Sequence, residues 1–327
     1  MPFASIVVPA YNAVATLAET LDSLTSQTFE DLEVIVVDDG SIDGTGDLAR
    51  AHPDPRIRVV TQTNRGAAGA RNTGIAHARG KIIGFCDADD LWSPVKLAAH
   101  VRHLRERPAV GISFSACALI DGAGKPLDTC HGPRLTGLTA AHVFRRNPIG
   151  KGSTPVIRRA ALDSIAWDPG LADKRTWYFD ETFRQSEMIE LWLRFVLTTD
   201  WDVEGLAGAL TCRRIVQGRS SAAAFQQLAA WERMVTKLTP LVPGFFARHT
   251  CAARAYQYRH LACRAIRAGD GRLALHQLRE ALARSPRPIW EEPAATVSVC
   301  ARAAVLALVG PVRMRWIKDR ANGRRPA

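Results

Sequence analysis

The chain has 327 residues, 47% of them hydrophobic and 23% charged, which is enough for one large core or two modest ones and excludes a disordered composition. The net charge of +11 is uneven: residues 1–110 carry −3, residues 111–215 carry +1 and residues 216–327 carry +13, so an anionic partner or surface is expected only of the last third. The seven cysteines, at 86, 117, 130, 212, 251, 263 and 300, include no C-x-x-C pair and point to scattered buried thiols in a reducing compartment.

In chain order, "ASIVVPA" predicts a strand over 4–10, and "TLAETLDSLTSQ" a helix over 16–27 with Leu17, Leu21 and Leu24 on one face. "LEVIVVDDG" predicts a strand over 32–40, and "TGDLARAH" a short helix over 45–52 capped by Asp43 or Thr45. "IRVVTQ" (57–62) is a third strand, "GAAGARNTGIAHA" (66–78) a small-residue helix, and "KIIGFCDA" a fourth strand. "PVKLAAHVRHLRER" (94–107) reads as a helix with Pro94 at its first position. This rhythm predicts a mainly parallel sheet with helices on both faces. Right-handed crossovers then bring the C-terminal strand ends to one edge, where such folds bind ligands. The segments after the four strands are "PAYN", "DDGS", "TNRG" and "DADD", so four polar loops converge there.

Further on, "VGISFSACALID" (110–121) predicts another strand, and "STPVIRRAALDSI" a strand running into a helix. "QSEMIELWLRFVLT" (185–198) predicts an amphipathic helix with Met188, Leu191, Trp192 and Phe195 on one side. From about 222 the pattern is helical, and two helices joined at "AGDG" are similar to a single tetratricopeptide-like hairpin. No basic leader with an apolar core opens the chain and no uninterrupted apolar run of 18 residues occurs, so a cytoplasmic location is expected.

The loop "DADD" sets three carboxylates, Asp87, Asp89 and Asp90, within four positions. Like charges this close need a compensating partner. A D-x-D turn at a strand end suits a hard divalent cation, Mg²⁺ or Mn²⁺, which takes one or two protein oxygens and fills its other positions with phosphate and water. The alternative is a solvated, capped turn before the helix at 94. Asp38 and Asp39 follow the second strand, where a carboxylate can accept from a base N–H or a ribose hydroxyl. No G-x-G-x-x-G follows the first strand and no G-x-x-x-x-G-K-[ST] occurs, which counts against nicotinamide, flavin and P-loop sites.

Taken together, "SIVVPAYNA", "VIVVDDGSIDGT", "NRGAAGARNTGI" and "FCDADDLWSPVKL", in this order, resemble the family 2 glycosyltransferases, whose nucleotide-sugar fold is called GT-A; the resemblance covers roughly residues 4–215. It implies a GT-A-like α/β domain over 1–221, followed by a basic all-helical region over 222–327. It implies that Pro9, Ala10 and Tyr11 line the base pocket, that Asp39 meets a uracil or thymine imide, and that Arg71 helps hold base and diphosphate. It further implies that Asp87 and Ala88 contact the donor, that Asp89 binds the metal bridging the phosphates, and that Arg214 or Arg213 touches the leaving diphosphate. A solvated basic loop is the competing reading of "CRRIVQGRSSA". The segment Lys151–Thr154 sits where such sequences often build the acceptor pocket.

The implied reaction is inverting transfer of a sugar from a UDP-type donor to a glycan or polyprenyl-diphosphate-linked acceptor, in exopolysaccharide or cell-surface glycan synthesis. A carboxylate takes the acceptor proton. Here the sequence departs from the family pattern: in "SEMIELWLRF" Met188 stands where the base Asp is expected. Glu187 is then the first candidate base, with Glu190 or Asp180 as alternatives. A nucleotide-binding scaffold without transferase activity is the rival reading. A nucleotidyltransferase would want a Gly-rich basic loop after the first strand, which "PAYNAVATLAET" lacks. In the tail, "AATVSVCARAAVLALVGPVRMRWI" (294–317) combines an apolar run with Arg302, Arg313, Arg315 and Trp316. It reads either as a buried helix or as one lying on an anionic membrane surface. No aromatic–basic interleaving suggests nucleic acid.

Overall fold

The structure, a computed structural model, describes residues 1–127, 134–171, 175–215 and 222–321, with the side chains of 222–225 and 311–321 outside the description. Cys130, most of the loop "CRRIVQGRSSA" and the side chains of Arg313, Arg315 and Trp316 therefore lie outside the described residues. The chain divides into two compact units, one of Met1–Val143 with Asn147–Gln217 and one of Phe144–Arg146 with Gly218–Ala327.

The first unit is built on an eight-stranded sheet. Its parallel half comprises β1 (Ala4–Ala10), β2 (Leu32–Asp38), β3 (Ile57–Thr61) and β4 (Ile82–Phe85). The other half holds β5 (Leu91–Trp92), β6 (Val110–Ile120), β7 (Val156–Arg158) and β8 (Asp202–Arg214). The strand order is β3-β2-β1-β4-β7-β6-β8-β5, with β4–β7, β7–β6 and β8–β5 antiparallel and β6–β8 parallel. The sheet is therefore mixed beyond β4. The order reverses between β1 and β4, so the C-terminal ends of these two strands flank a crevice of the kind that binds ligands.

β1 and β2 are near-continuous apolar runs because they are covered on both faces. Alternate side chains enter different cores. Ile6, Val8, Val34 and Val36 pack with Leu17, Leu21 and Leu24 of α1 (Leu17–Thr25) and Leu97, Val101 and Leu104 of α4 (Lys96–Glu106). Val7, Ile35 and Val37 share the opposite core with Ala70 and Ile75 of α3 (Gly66–His77) and Leu191, Trp192 and Phe195 of α7 (Glu187–Thr198). The small residues of α3 have a packing reason: a Cβ at Gly74 would lie 2.2 Å from Val7 Cγ1. Shorter helices α2 (Thr45–Arg50), α5 (Ala140–Arg146) and α6 (Arg159–Asp163) complete the connections.

Some boundaries move. The N-cap of α2 is Gly44, in a left-handed conformation, while Asp43 Oδ1 accepts from the backbone N–H and hydroxyl of Thr45. Pro94 precedes α4 by two residues, because Ser93 to Lys96 forms a turn first. Of the six described cysteines, Cys86 is buried, Cys251 is exposed and the others are half-buried, so the expectation of scattered buried thiols holds fully only for Cys86.

The second unit is helical among its described residues: α8 (Ala222–Leu238), α9 (Pro243–Arg267), α10 (Gly271–Arg284), α11 (Arg287–Glu291) and α12 (Pro293–Ala321). The predicted hairpin is α9–α10. Gly269 supplies the left-handed residue that ends α9, and Asp270 caps α10 by accepting from Leu273 N–H at 2.8 Å. Ala262, Ala265, Ala274 and Leu278 form a small core with Val299 and Ala303 of α12.

Candidate active site

The loops after β1 and β2 are stitched to each other. Asn12, at φ +49°, accepts from Ile42 N–H while its own N–H donates to Ser41 Oγ, and Ala13 N–H donates to Thr45 Oγ1. This holds Tyr11, 53% exposed, at the rim beside buried Ala10, whose carbonyl accepts from Asp39 N–H at 2.8 Å. The Asp39 carboxylate is buried and accepts from Gln62 Nε2 (2.7 Å), Arg65 N–H (2.8 Å) and Gly66 N–H (2.8 Å). Three of its roughly four acceptor positions are thus used to bind the loop after β3.

The three aspartates after β4 have three different environments. Asp87 Oδ1 accepts from Arg71 Nη2 at 2.7 Å, and its backbone N–H donates to Ser153 Oγ at 2.9 Å. Asp90 is turned inward, accepting from Ser153 Oγ at 2.6 Å and from Arg214 N–H at 3.2 Å. Asp89 is half-buried, and its carbonyl accepts from Arg214 Nε at 3.3 Å. Burial, then the Asp87 charge, raises the pKa of Asp89 and also that of Asp90. The charges of Lys151 and Arg213 offset the rise at Asp89 only in part. Ala88, between them, has its carbonyl taken by Thr16 Oγ1 (2.8 Å) and Thr20 Oγ1 (3.0 Å) from α1.

Arg71 ties the site together. It is 3% exposed and bonds Asp87 on one side and Glu187 Oε1, at 2.9 Å, on the other, with the Phe179 ring 5.6 Å below. Burial alone would lower its pKa; the flanking Asp87 and Glu187 carboxylates outweigh that and hold it above its ordinary value. Its Nε is buried with no partner. Glu187 opens α7, behind Ser186 at φ +67°, a strained position that aims the helix start at the crevice. Met188 follows, buried, and a Cβ added at Gly152 would meet its methyl at 2.6 Å and Arg71 Nη2 at 3.3 Å. The methionine thus belongs to the apolar core, with its methyl against Gly152.

The alternative bases are placed elsewhere. Glu190 is fully buried, with its two oxygens accepting from Arg194 at 2.8 and 3.2 Å, so it is committed to a structural ion pair and unsuited to proton transfer. Asp180 is buried, and its Oδ1 accepts from the N–H and hydroxyl of Thr182. Arg214 is buried, and its guanidinium is engaged by Glu19 (2.5 Å) and by the carbonyls of Asp89, Asp121 and Gly122. It thereby anchors the aspartate turn.

Sequence reasoning missed the support beneath that turn. Lys96 is fully buried and donates to the carbonyls of Ser153 and Thr154 (both 2.8 Å) and to Thr211 Oγ1 (2.7 Å), with its Nζ 4.6 Å from the Trp92 ring centroid. Burial pushes its pKa down to about 7. It orients Ser153, whose hydroxyl in turn holds both Asp87 and Asp90. Ser153 and Thr154 are both buried; Ser153 bonds the aspartate turn, whereas the Thr154 hydroxyl donates to the carbonyls of Ile149 and Lys151. The only sequence signal for Lys96 is that it shares the inward stripe of α4 with Leu97, His100 and Val101.

The model of the family described as glycosyl transferase family 2 matches residues 5–164. The chain carries a family 2 glycosyltransferase domain. Curated relatives are similar to part of the chain. The UDP-Glc:alpha-D-GlcNAc-diphosphoundecaprenol beta-1,3-glucosyltransferase WfaP of Escherichia coli is 38% identical over 116 residues, covering 35% of this chain and 46% of WfaP. The succinoglycan biosynthesis protein ExoO of Rhizobium meliloti is 44% identical over 98 residues, covering 30% of this chain and 28% of ExoO. The chain thus matches less than half the length of either. The solved mannosyltransferase PcManGT of Pyrobaculum calidifontis, in complex with GDP-Man and Mn²⁺, superposes with a TM-score of 0.58 at 22% identity, covering 98% of this chain and 84% of that one. This is a likeness of fold, and it makes the glycosyltransferase domain GT-A-like. Among the described residues no group of three or more His, Cys, Asp or Glu is arranged to hold a metal by itself.

Proposed function

We propose that this chain transfers a sugar from a UDP-type nucleoside-diphosphate donor to a glycan or polyprenyl-diphosphate-linked acceptor, in a metal-dependent, inverting step of exopolysaccharide or cell-surface polysaccharide synthesis. The observation that carries this reading is the gathering of Asp39, Arg71, Asp87, Asp89 and Glu187 at the C-terminal edge of the parallel strands, at the switch between β1 and β4. The UDP-glucose donor and lipid-diphosphate acceptor in the name of WfaP support the donor and acceptor classes. The reaction then takes place in the cytoplasm, at the inner face of the membrane where such acceptors present their head groups.

Asp89, half-buried on the same turn as Asp87, offers the hard oxygens that Mg²⁺ or Mn²⁺ prefers. When bound, the ion supplies Lewis-acid stabilisation of the departing diphosphate. The protein's own groups do the rest. Tyr11 offers an exposed ring to the base, with Pro9 and Ala10 as the pocket floor, and Asp39 has one acceptor position left for a base N–H. Arg71 fixes Asp87 and Glu187 relative to each other, and Glu187 takes the acceptor proton through its second oxygen.

The test is donor turnover and thermal shift with a panel of nucleoside diphosphates and Mn²⁺. Stabilisation by UDP and Mn²⁺ together, and loss of turnover in Glu187→Gln, are the expected results. A second reading, a nucleotide-binding scaffold without transfer, is favoured by Met188, which puts a methyl group where a carboxylate is expected. Equal, metal-independent background turnover in the wild type and in Glu187→Gln would decide for it.

A further inference from the structure

Helix α12 has two apolar faces, and only one of them is covered. Thr296, Val299, Ala303 and Leu306 face inward and are buried, the last three at most 8% exposed. Val299 and Ala303 join the core of α9 and α10, and Gly271 lies so close to the α12 backbone that a Cβ there would sit 2.3 Å from Ala307 N. The opposite face repeats with the same spacing: Val297 is 64% exposed, Val305 40% and Leu308 86%, with Ala301 and Arg302 exposed between them. The stripe from 294 to 308 runs about 21 Å along the helix at 1.5 Å per residue. Trp290, just before α12, is 77% exposed.

The segment Pro293–Gly310 is long and apolar enough to cross a membrane by length and composition, although Arg302 interrupts it and only 22% of it is buried. The packing argues against a crossing. Spanning would pull Val299, Ala303 and Leu306 away from α9 and α10. It would also break the bond of Thr296 Oγ1 to Arg259 Nη1 (2.5 Å), leaving that buried guanidinium short of a partner. Charge then selects the occupant. Residues 216–327 carry +13, and residues 311–327 alone hold six Lys/Arg against one Asp. Pairing two copies through this face would bring two such regions together, whereas an anionic bilayer neutralises them.

We propose that α12 lies flat on an anionic phospholipid surface, its outer stripe of Val297, Ala301, Val305 and Leu308 entering the headgroup–acyl boundary and the following basic residues held by the lipid charge. This deepens the peripheral location proposed above, and its test uses neither donor nor acceptor, so the two readings fail separately. The full chain is floated with vesicles of phosphatidylcholine alone and of phosphatidylcholine with phosphatidylglycerol. The expected result is partitioning to the mixed vesicles at low salt, weakening as salt rises, with extraction by alkaline carbonate. The double variant Val305→Asp, Leu308→Asp should partition at least about tenfold less while keeping the wild-type melting temperature and donor turnover. Absence of wild-type partitioning, or equal partitioning of the variant, overturns the proposal. Resistance to carbonate would mean that the helix spans. A wild-type dimer that this variant converts to a monomer would assign the face to self-association.

Discussion

Near the N-terminal end of β2, Glu33 is buried and accepts from Ser5 Oγ (2.7 Å), from Arg79 N–H and Nη2 (2.9 and 2.8 Å) and from Arg58 Nη1 (3.0 Å). At the opposite end of the same parallel strands, Asp87 and Glu187 flank the buried guanidinium of Arg71, and Asp89 and Asp90 share the turn that carries Asp87. Burial raises the pKa of Glu33, but the bonds from Arg79, Ser5 and Arg58 outweigh it and leave it below the ordinary value. Asp89 moves the other way, raised by burial and by Asp87. One end of the sheet supplies its carboxylate with all the positive charge it needs. At the other, three carboxylates crowd one turn and Asp89 and Asp90 are raised by burial and by Asp87, a pattern common at functional sites.

The contrast breaks first, and most visibly, at Asp89. Asp89→Ala should lower metal-dependent donor turnover by at least about 100-fold, with no loss of melting temperature. Full activity in that variant, or after removal of divalent ions by a chelator, would make the two ends of the sheet equivalent. Glu33→Gln should do the reverse. A loss of about 2 kcal/mol in unfolding free energy, measured by urea titration, is expected with turnover per folded molecule unchanged; Arg58 and Arg79 are partly solvated, which moderates the cost.

Ser153→Ala sharpens the comparison at the site end. It should weaken Mn²⁺ affinity about tenfold, since Ser153 holds the turn that carries Asp89, while costing about 1 kcal/mol of stability. Ser153→Thr, which keeps the hydroxyl, should restore metal affinity. An Ala variant with unchanged metal binding would show that the prop beneath the turn only supports the fold.

The smallest effect is in pH. Because the folded pKa of Glu33 is depressed, its contribution is present above the unfolded value near 4.5 and is lost as pH falls through the folded one. Stability of the wild type should therefore drop more steeply on the acid side than that of Glu33→Gln. Asp89 has the opposite sign: its raised pKa makes the charged form destabilising at neutral pH, so Asp89→Asn should melt higher there without metal. A matching acid limb in both wild type and Glu33→Gln would remove Glu33 from the account.

Local pattern made much of this legible. Runs such as "SIVVPA" and "EVIVVD" form strands because β-branched residues suit a doubly covered sheet, and the acidic loops that follow, with Asp39, Asp87 and Asp89, stand out by composition, while Arg71, within α3, was pointed to by the family resemblance alone. The partners were not legible. Arg71, expected to face the donor, bonds Glu187 across 116 residues of sequence, and Asp87 depends on a serine 66 residues away. Glu190, one helical turn from Glu187, is fully buried and gives both its oxygens to Arg194, whereas Glu187 keeps one oxygen outside its bond to Arg71. Lys96 gave no sign of being buried beneath the site because its acceptors come from residues 153, 154 and 211.

By itself, then, the amino-acid sequence determined the βα rhythm, the edge at which polar loops collect and the kind of chemistry those residues can support, because these follow from periodicity and side-chain type over a few residues. The tertiary structure decided which of three neighbouring aspartates turns inward and which pairs with Arg71, which carboxylates are already committed to arginines, and that α12 has a second, uncovered apolar face. Each of these depends on burial and on partners far away in the chain, and an electrostatic environment is a property of the packed volume around a group, which no local stretch of sequence contains.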